Sequence, residues 1–186
     1  IMSRKGSDIL VEAFARLHQQ RDRTHLLFVG PRQPGQEEHH LAFQNKLDGL
    51  VQASGLAQRI HFVDLTDNVA DYLRAADIFV LASTREGLPN SAIEAMACGK
   101  PVVITPFVGL SDDLGKAGQE YLLTERNPEA LAAIFQQLVD DEAHSAELAE
   151  RGRDWIVVNM SLDRSIDLYA QLYRDVAQRP AGAGGA

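Results

Sequence analysis

Arg85-Glu86-Gly87-Leu88-Pro89-Asn90-Ser91-Ala92-Ile93-Glu94-Ala95-Met96-Ala97-Cys98-Gly99-Lys100-Pro101-Val102-Val103 is the stretch from which the fold is read. An apolar run, Ile78-Phe79-Val80-Leu81-Ala82, stands before it and reads as a buried parallel strand. A Gly-Leu-Pro-Asn turn then leads into a short helix rich in Ala and Met. Gly99 is a fitting helix stop, with Lys100 and Pro101 just beyond. Val102-Val103-Ile104 starts the next strand. Glu86 falls in the loop leaving the first strand, and Glu94 about one turn into the helix, with seven residues between them. In an open α/β sheet, ligands bind outside the carboxyl ends of the strands. A helix start also has unpaired N–H groups and a positive dipole end. The amides of Leu88 to Ser91 are therefore expected to face an anion.

This layout suits a nucleotide-sugar, which has a diphosphate in its middle and hydroxyl-rich sugars at both ends. The helix start would hold the diphosphate. A carboxylate on either side would accept hydrogen bonds from vicinal hydroxyls, and charged acceptors make the stronger bonds. A plainer reading needs no ligand: Ser91-x-x-Glu94 is also a capping box, and Glu86 a solvated loop residue.

Outward from this centre, strands alternate with helices, which predicts an α/β fold with a doubly wound parallel sheet. Ser7 or Asp8 can cap a helix through about Gln20, with Ile9, Leu10, Phe14 and Leu17 on its apolar face. His25 to Val29 reads as a strand, Arg32 to Gln36 as a polar loop, and Glu37 to about Ser54 as a helix with Leu41, Leu47, Leu50 and Val51 on its apolar side. Arg59 to Val63 is the next strand, and Asp67 or Asn68 can cap a helix over Val69 to Ala76. Gln119 to Leu123 reads as a further strand. Asn127-Pro128 opens a helix with Pro at its favoured first position. Two more helices fit Ala143 to Arg153 and Leu162 to Ala177. The Pro/Gly/Ala-rich tail, 179–186, is expected to be flexible.

At 186 residues the chain is long enough for one domain with a sizeable core. Hydrophobic content of 45% and charged content of 24% are those of a soluble globular protein. A net charge of −8, with no basic stripe, argues against a nucleic-acid partner. The single Cys98 excludes an internal disulfide, is expected to be a small buried packing residue, and fits a cytoplasmic location. No run approaches the length of a transmembrane helix.

The E-G-L-P-N-S turn, the E-A-M-A-C-G helix, the P-V-V strand and the preceding A-A-D-I-F-V-L-A-S run resemble the E-x7-E segment of retaining GT-B glycosyltransferases, especially family 4. The resemblance spans about Arg4 to Ala177 and is strongest from Ala75 to Val103. It implies a Rossmann-like C-terminal half of a GT-B enzyme, with residues 1–178 binding the nucleotide-sugar and the N-terminal acceptor domain absent. It implies that Glu86 contacts the donor sugar and Glu94 the ribose. It implies too that Lys5, in a Lys-Gly pair, contacts the diphosphate, with Arg4 expected to add charge nearby. Glu86 and Lys5 are the catalytic candidates; Gly87, Leu88, Pro89, Asn90, Ser91, Glu94 and Arg4 are the binding ones. A glycine-rich turn on the donor-sugar side is matched loosely by Gly109 and Leu110.

Two departures stand out. Ala82 replaces a proline usual in the family. The Gly-Arg pair and the first strand that precede the lysine are missing or reduced to Ile1-Met2, so a sheet in the order 3-2-1-4-5-6 is expected to have a gap.

The implied activity is hexosyl transfer from a UDP- or GDP-sugar to an acceptor hydroxyl with retention, within a longer chain. The isolated piece is expected to be inactive. No cofactor is implied and no metal, since no Asp-x-Asp motif occurs. The acceptor, a glycan or lipid-linked sugar, would be read by the other domain, with peripheral membrane association of the full protein. The rivals are a sugar-nucleotide epimerase of the same fold and a non-catalytic sugar-nucleotide-binding module.

Overall fold

A computed structural model describes residues 1–32 and 38–178; the expected loop at 33–37 and the tail at 179–186 lie outside the described residues. A single 3-10 turn, Ser3–Lys5, is followed by α1 (Ser7–His18), β1 (Leu26–Val29), α2 (Glu38–Ser54), β2 (Ile60–Val63), α3 (Val69–Ala75), β3 (Phe79–Leu81), α4 (Asn90–Ala97) and β4 (Val102–Ile104). A 3-10 turn, Asp112–Leu114, then leads to β5 (Leu122–Leu123), α5 (Pro128–Asp140), α6 (Glu142–Asn159) and α7 (Leu162–Ala177).

All strand pairs are parallel, and they form two sheets, β1-β2 and β3-β4-β5. In β4 the burial is complete on both faces. Val103 joins a core with α1, α2 and α5, while Val102 and Ile104 join a second core with α3, α4 and α6. This alternation is the period-2 signature of a sheet with helices on both sides. β1 is different. Phe28 is buried against α1, but Leu27 and Val29 on the other face are 43% and 37% exposed.

The two sheets are separated where the sequence led us to expect a gap. β3 bonds to β4 through Phe79 N–H to Pro101 O and Thr105 N–H to Leu81 O, 3.0 and 3.1 Å. The backbone groups of Val80 and Ala82 therefore point the other way, toward β1. Across the top of the slot runs the N-terminal segment. The Ile1 carbonyl accepts from Gln44 Nε2 (3.1 Å), and the Arg4 carbonyl accepts from Thr84 N–H (2.9 Å).

Several local expectations are corrected. Neither Ser7 nor Asp8 caps α1. Gly6 does so in the left-handed region (φ 71°), and Ser7 is a buried first helical residue. Asn68 precedes α3 without a side-chain cap. On α2, Leu47 and Val51 are buried, while Leu41 is exposed. β5 is confined to two residues of the expected five, and α6 runs on to Asn159 because Ile156 continues its buried face. Cys98 is half-buried at the end of α4, packed at the edge of the second core. Pro128 opens α5 as expected, and the Asn127 side chain caps the helix by accepting from Ala130 N–H at 2.8 Å. Gly99 and Lys100 close α4 by donating to Met96 and Ala95. Helix α7 buries none of its residues, and its Ile166, Tyr169 and Tyr173 are exposed. Among the described residues no helix is long and apolar enough to cross a membrane.

Candidate functional site

The site is built on the carboxyl ends of β3 and β4. Gly6 lies directly on the end of β3: a Cβ there would stand 2.4 Å from Ala82 O. Only glycine fits this contact in the left-handed region, and the contact presses Arg4 and Lys5 onto the loop that follows β3. Arg126 Nε donates to the same Ala82 oxygen at 2.9 Å. From the other side comes the loop after β4. Val108 N–H donates to Thr84 O (3.0 Å), and Glu86 N–H donates to Val108 O (3.2 Å). Gly109, at φ 103°, is so close that a Cβ would come within 2.3 Å of Glu86 O. The backbone of Glu86 is thus clamped between two segments distant in sequence.

Its side chain is turned back across the clamp. Lys5 Nζ donates to Glu86 Oε1 at 2.6 Å, and the Glu86 side chain is only 10% exposed. Burial pushes this carboxyl up. The Lys5 hydrogen bond and the charges of Lys5 and Arg4 outweigh burial and hold it below the ordinary carboxylate value. Ser83 Oγ is itself fully buried and makes no hydrogen bond in this conformation. Ser83 carried no weight in the sequence reading beyond its place in the A-A-D-I-F-V-L-A-S run; a hydroxyl residue directly after a buried strand was the available signal.

The other half is the start of α4. Here the expected row of amides is reduced. Pro89, the residue before the helix, has no N–H, and Asn90 N–H is spent on Leu88 O at 2.9 Å. Among the described residues Leu88 and Ser91 N–H have no backbone hydrogen-bond partner. The capping box does not form. Ser91 lies inside α4, and no side chain caps this helix, because Pro89 already accepts from Ala92 and Ile93 N–H (2.9 and 3.2 Å). Glu94 is exposed and, among the described residues, has no hydrogen-bond or ion-pair partner. Gly87 is open to solvent, with nothing within 4 Å of the position a Cβ would take.

Lys5, Arg4 and Glu86 are therefore brought together, while Glu94 stands apart on the helix. Among the described residues no group of three His, Cys, Asp or Glu side chains could hold a metal ion.

The chain is similar to several known proteins. A lipopolysaccharide core biosynthesis glycosyltransferase, LpsE, of Rhizobium meliloti is 30% identical over 171 residues, covering 92% of this chain and 46% of that protein. The solved structure of a sucrose-phosphate synthase from Thermosynechococcus elongatus superposes with a TM-score of 0.80 at 32% identity, over 94% of this chain and 43% of that one. A structure of Anabaena Alr3699/HepE in complex with UDP and glucose superposes with a TM-score of 0.81 at 22% identity, over 96% of this chain and 46% of that one, and so shares the fold. The chain thus spans about half the length of the relatives it matches. The family model described as "Glycosyl transferases group 1" matches residues 1–141, and the chain belongs to that family, with its Rossmann-like GT-B fold.

Proposed function

We propose that this chain is the donor-binding half of a retaining, family 4 glycosyltransferase that moves a hexose from a UDP- or GDP-sugar to an acceptor hydroxyl. The observation that carries this reading is the Lys5–Glu86 pair at the end of β3, beside the free amides of Leu88 and Ser91. A half-exposed cation paired with a nearly buried carboxylate, next to unpaired N–H groups at a sheet's carboxyl edge, matches a ligand that joins a diphosphate to a sugar. That the Anabaena structure holds UDP and glucose supports the same ligand class here.

The roles follow from charge. In transfer, the acceptor oxygen bonds to the anomeric carbon as the nucleoside diphosphate departs with added negative charge. Lys5, Arg4 and the two amides stabilise that charge, and a preorganised site does so without reorganising at the moment of reaction. Glu86 orients the sugar hydroxyls. Glu94, exposed and unpaired, is free to accept from the ribose. Lys5 and Glu86 satisfy each other, so a ligand that engages both would exchange one paired partner for two. The reading requires no metal and places the protein in the cytoplasm, with an acceptor glycan or lipid-linked sugar and any peripheral membrane contact belonging to the remainder of the protein.

The slot between β1 and β3 belongs to this proposal. A further strand there would pair the outward backbone groups of Val80, which are costly to leave unpaired when buried, and would give the order 3-2-1-4-5-6. GT-B chemistry also needs a second domain to close donor and acceptor into reacting geometry. Accordingly, this chain assayed alone with candidate donors and acceptors should transfer no sugar, and the protein with its flanking sequence should. Multiple-turnover transfer by the chain alone would overturn the donor-half reading.

A further inference from the structure

Arg16, Arg21, Arg32, Arg74 and Arg151 each pair with a carboxylate of this acidic chain. Arg126, in the loop between β5 and α5, does not. It is half-buried, and among the described residues its one hydrogen bond is from Nε to Ala82 O, at 2.9 Å. The acidic groups nearest in sequence to it and to Gly6 are engaged elsewhere: Glu125 accepts from Asn127 Nδ2 (2.9 Å), and Asp8 from Lys46 Nζ (2.6 Å). A charge drawn partly out of water without a counter-charge is costly. Arg153 shows the contrast. It also donates through Nε to a backbone oxygen, Ala97 O at 3.3 Å, but it is exposed, and water can serve its other N–H groups.

The position of Arg126 supplies what its pairing lacks. Ala82 O is also the atom against which Gly6 is pressed, and Gly6 directly follows Lys5. Two residues beyond Ala82, Thr84 N–H donates to Arg4 O. Arg126 therefore meets the Arg4-Lys5 turn at the carboxyl end of β3, coming from a segment more than a hundred residues away. Of these three cations only Lys5 has a carboxylate partner among the described residues, Glu86. Positive charge is thus in excess at this strand end, in a chain whose net charge is −8. A guanidinium presents five N–H donors in one plane. The bond to Ala82 uses one of them and sets the plane, which leaves both terminal nitrogens to take an oxyanion.

We infer that Arg126 is a further binding residue of the donor site: its terminal nitrogens donate to phosphate oxygens of the nucleoside diphosphate, beside Lys5. This rests on the donor-site reading above. The tie to Ala82 holds the side chain in place beforehand, so less freedom is lost when the ligand arrives. The diphosphate is common to the nucleoside diphosphate and the nucleotide-sugar. Arg126 should therefore act on both ligands alike, unlike Glu86, which acts on the sugar.

The test is calorimetry with UDP, GDP, UDP-glucose and GDP-mannose on the native protein, Arg126→Gln and Arg126→Lys, with Arg153→Gln as the control. Arg126→Gln should weaken the nucleoside diphosphate that the native protein binds by roughly tenfold or more, as for a lost hydrogen bond to a charged group. The matching nucleotide-sugar should weaken by the same factor. Arg126→Lys keeps the charge but not the planar fork and should lose less. Arg153→Gln should leave both affinities in place. A salt series gives a readout that a purely structural tie would not move. Affinity should fall less steeply with added NaCl in Arg126→Gln than in the native protein, because one cation fewer faces the ligand. Unaltered affinity in both Arg126 variants, whatever their melting temperatures, would overturn the proposal. So would a loss confined to the nucleotide-sugar, which would show Arg126 acting only through the loop that carries Glu86. Should Arg126→Gln fail to fold, an equal loss for both ligands in Arg126→Lys supports the proposal, and unaltered affinity there overturns it. If the native protein binds none of the four ligands, the donor-site reading falls, and this role with it.

Discussion

The two glutamates of one short stretch are held in opposite ways. Glu86 is nearly buried, ion-paired to Lys5 from a turn 81 residues away, and clamped through its backbone by Thr84 and Val108. Glu94 is exposed on α4 and, among the described residues, unpartnered. The first is positioned by tertiary contacts and has a partner to give up. The second is positioned only by the helix that carries it. A ligand that engages both must therefore disrupt structure at one end and merely meet an open carboxylate at the other. Mutations should separate the two ends accordingly.

The largest effect is expected at the clamp. Gly109→Ala places a Cβ against Glu86 O at a backbone angle that favours glycine. The backbone strain alone costs about 1–3 kcal/mol, readable as a lower urea midpoint. Nucleotide-sugar affinity should fall as Glu86 is displaced, with nucleoside diphosphate affinity better preserved because Glu94 lies elsewhere. Equal losses of both affinities would break the distinction between the ends.

A smaller effect is expected from acid. Glu86 is held below its ordinary value in the folded protein. Such a group contributes stability that is present above its unfolded value and is lost as pH falls through the folded one. In Lys5→Met the main cause of the lowering is gone and burial remains, so that contribution disappears. Unfolding free energy followed from about pH 6 down to about pH 3 should therefore fall less steeply in Lys5→Met than in the native protein. Parallel curves would show that the pair is not coupled to folding. The smallest effect is that of chelation: nucleotide binding should be the same with and without EDTA, and a loss restored by Mg²⁺ or Mn²⁺ would show that the cations and amides do not suffice.

Much of this was legible in the sequence where local rules dominate. The bounds of β4 and α7, the Gly99 stop and the Pro128 start of α5 rest on short-range patterns, and the structure has each of them. Local rules misplaced the starts of α1 and α4. At α1, Ser7 fits a cap, but the close approach of Gly6 to Ala82 decides the matter, and that contact is invisible in a local window. At α4, Pro89 takes the place before the helix, two residues ahead of the serine that pattern favoured. The functional residues themselves were singled out by resemblance, whereas their pairing was not. Nothing near Lys5 in sequence signals Glu86 as its partner, and nothing near Ser83 signals that its hydroxyl is left without one. Such features follow from how β3, the N-terminal turn and the loop after β4 meet.

The measurement that bears most directly on the donor-site account is calorimetry of a nucleoside diphosphate and its matching nucleotide-sugar on the native protein, Glu86→Ala and Glu94→Ala. Glu94→Ala should weaken both ligands by about 1.5–3 kcal/mol, the worth of a hydrogen bond to a charged group, with melting temperature little changed because Glu94 makes no capping contact. Glu86→Ala should leave the nucleoside diphosphate nearly unchanged and weaken the nucleotide-sugar alone. Equal losses for both ligands in both variants, or a Glu94→Ala protein that melts lower but binds normally, would contradict the account.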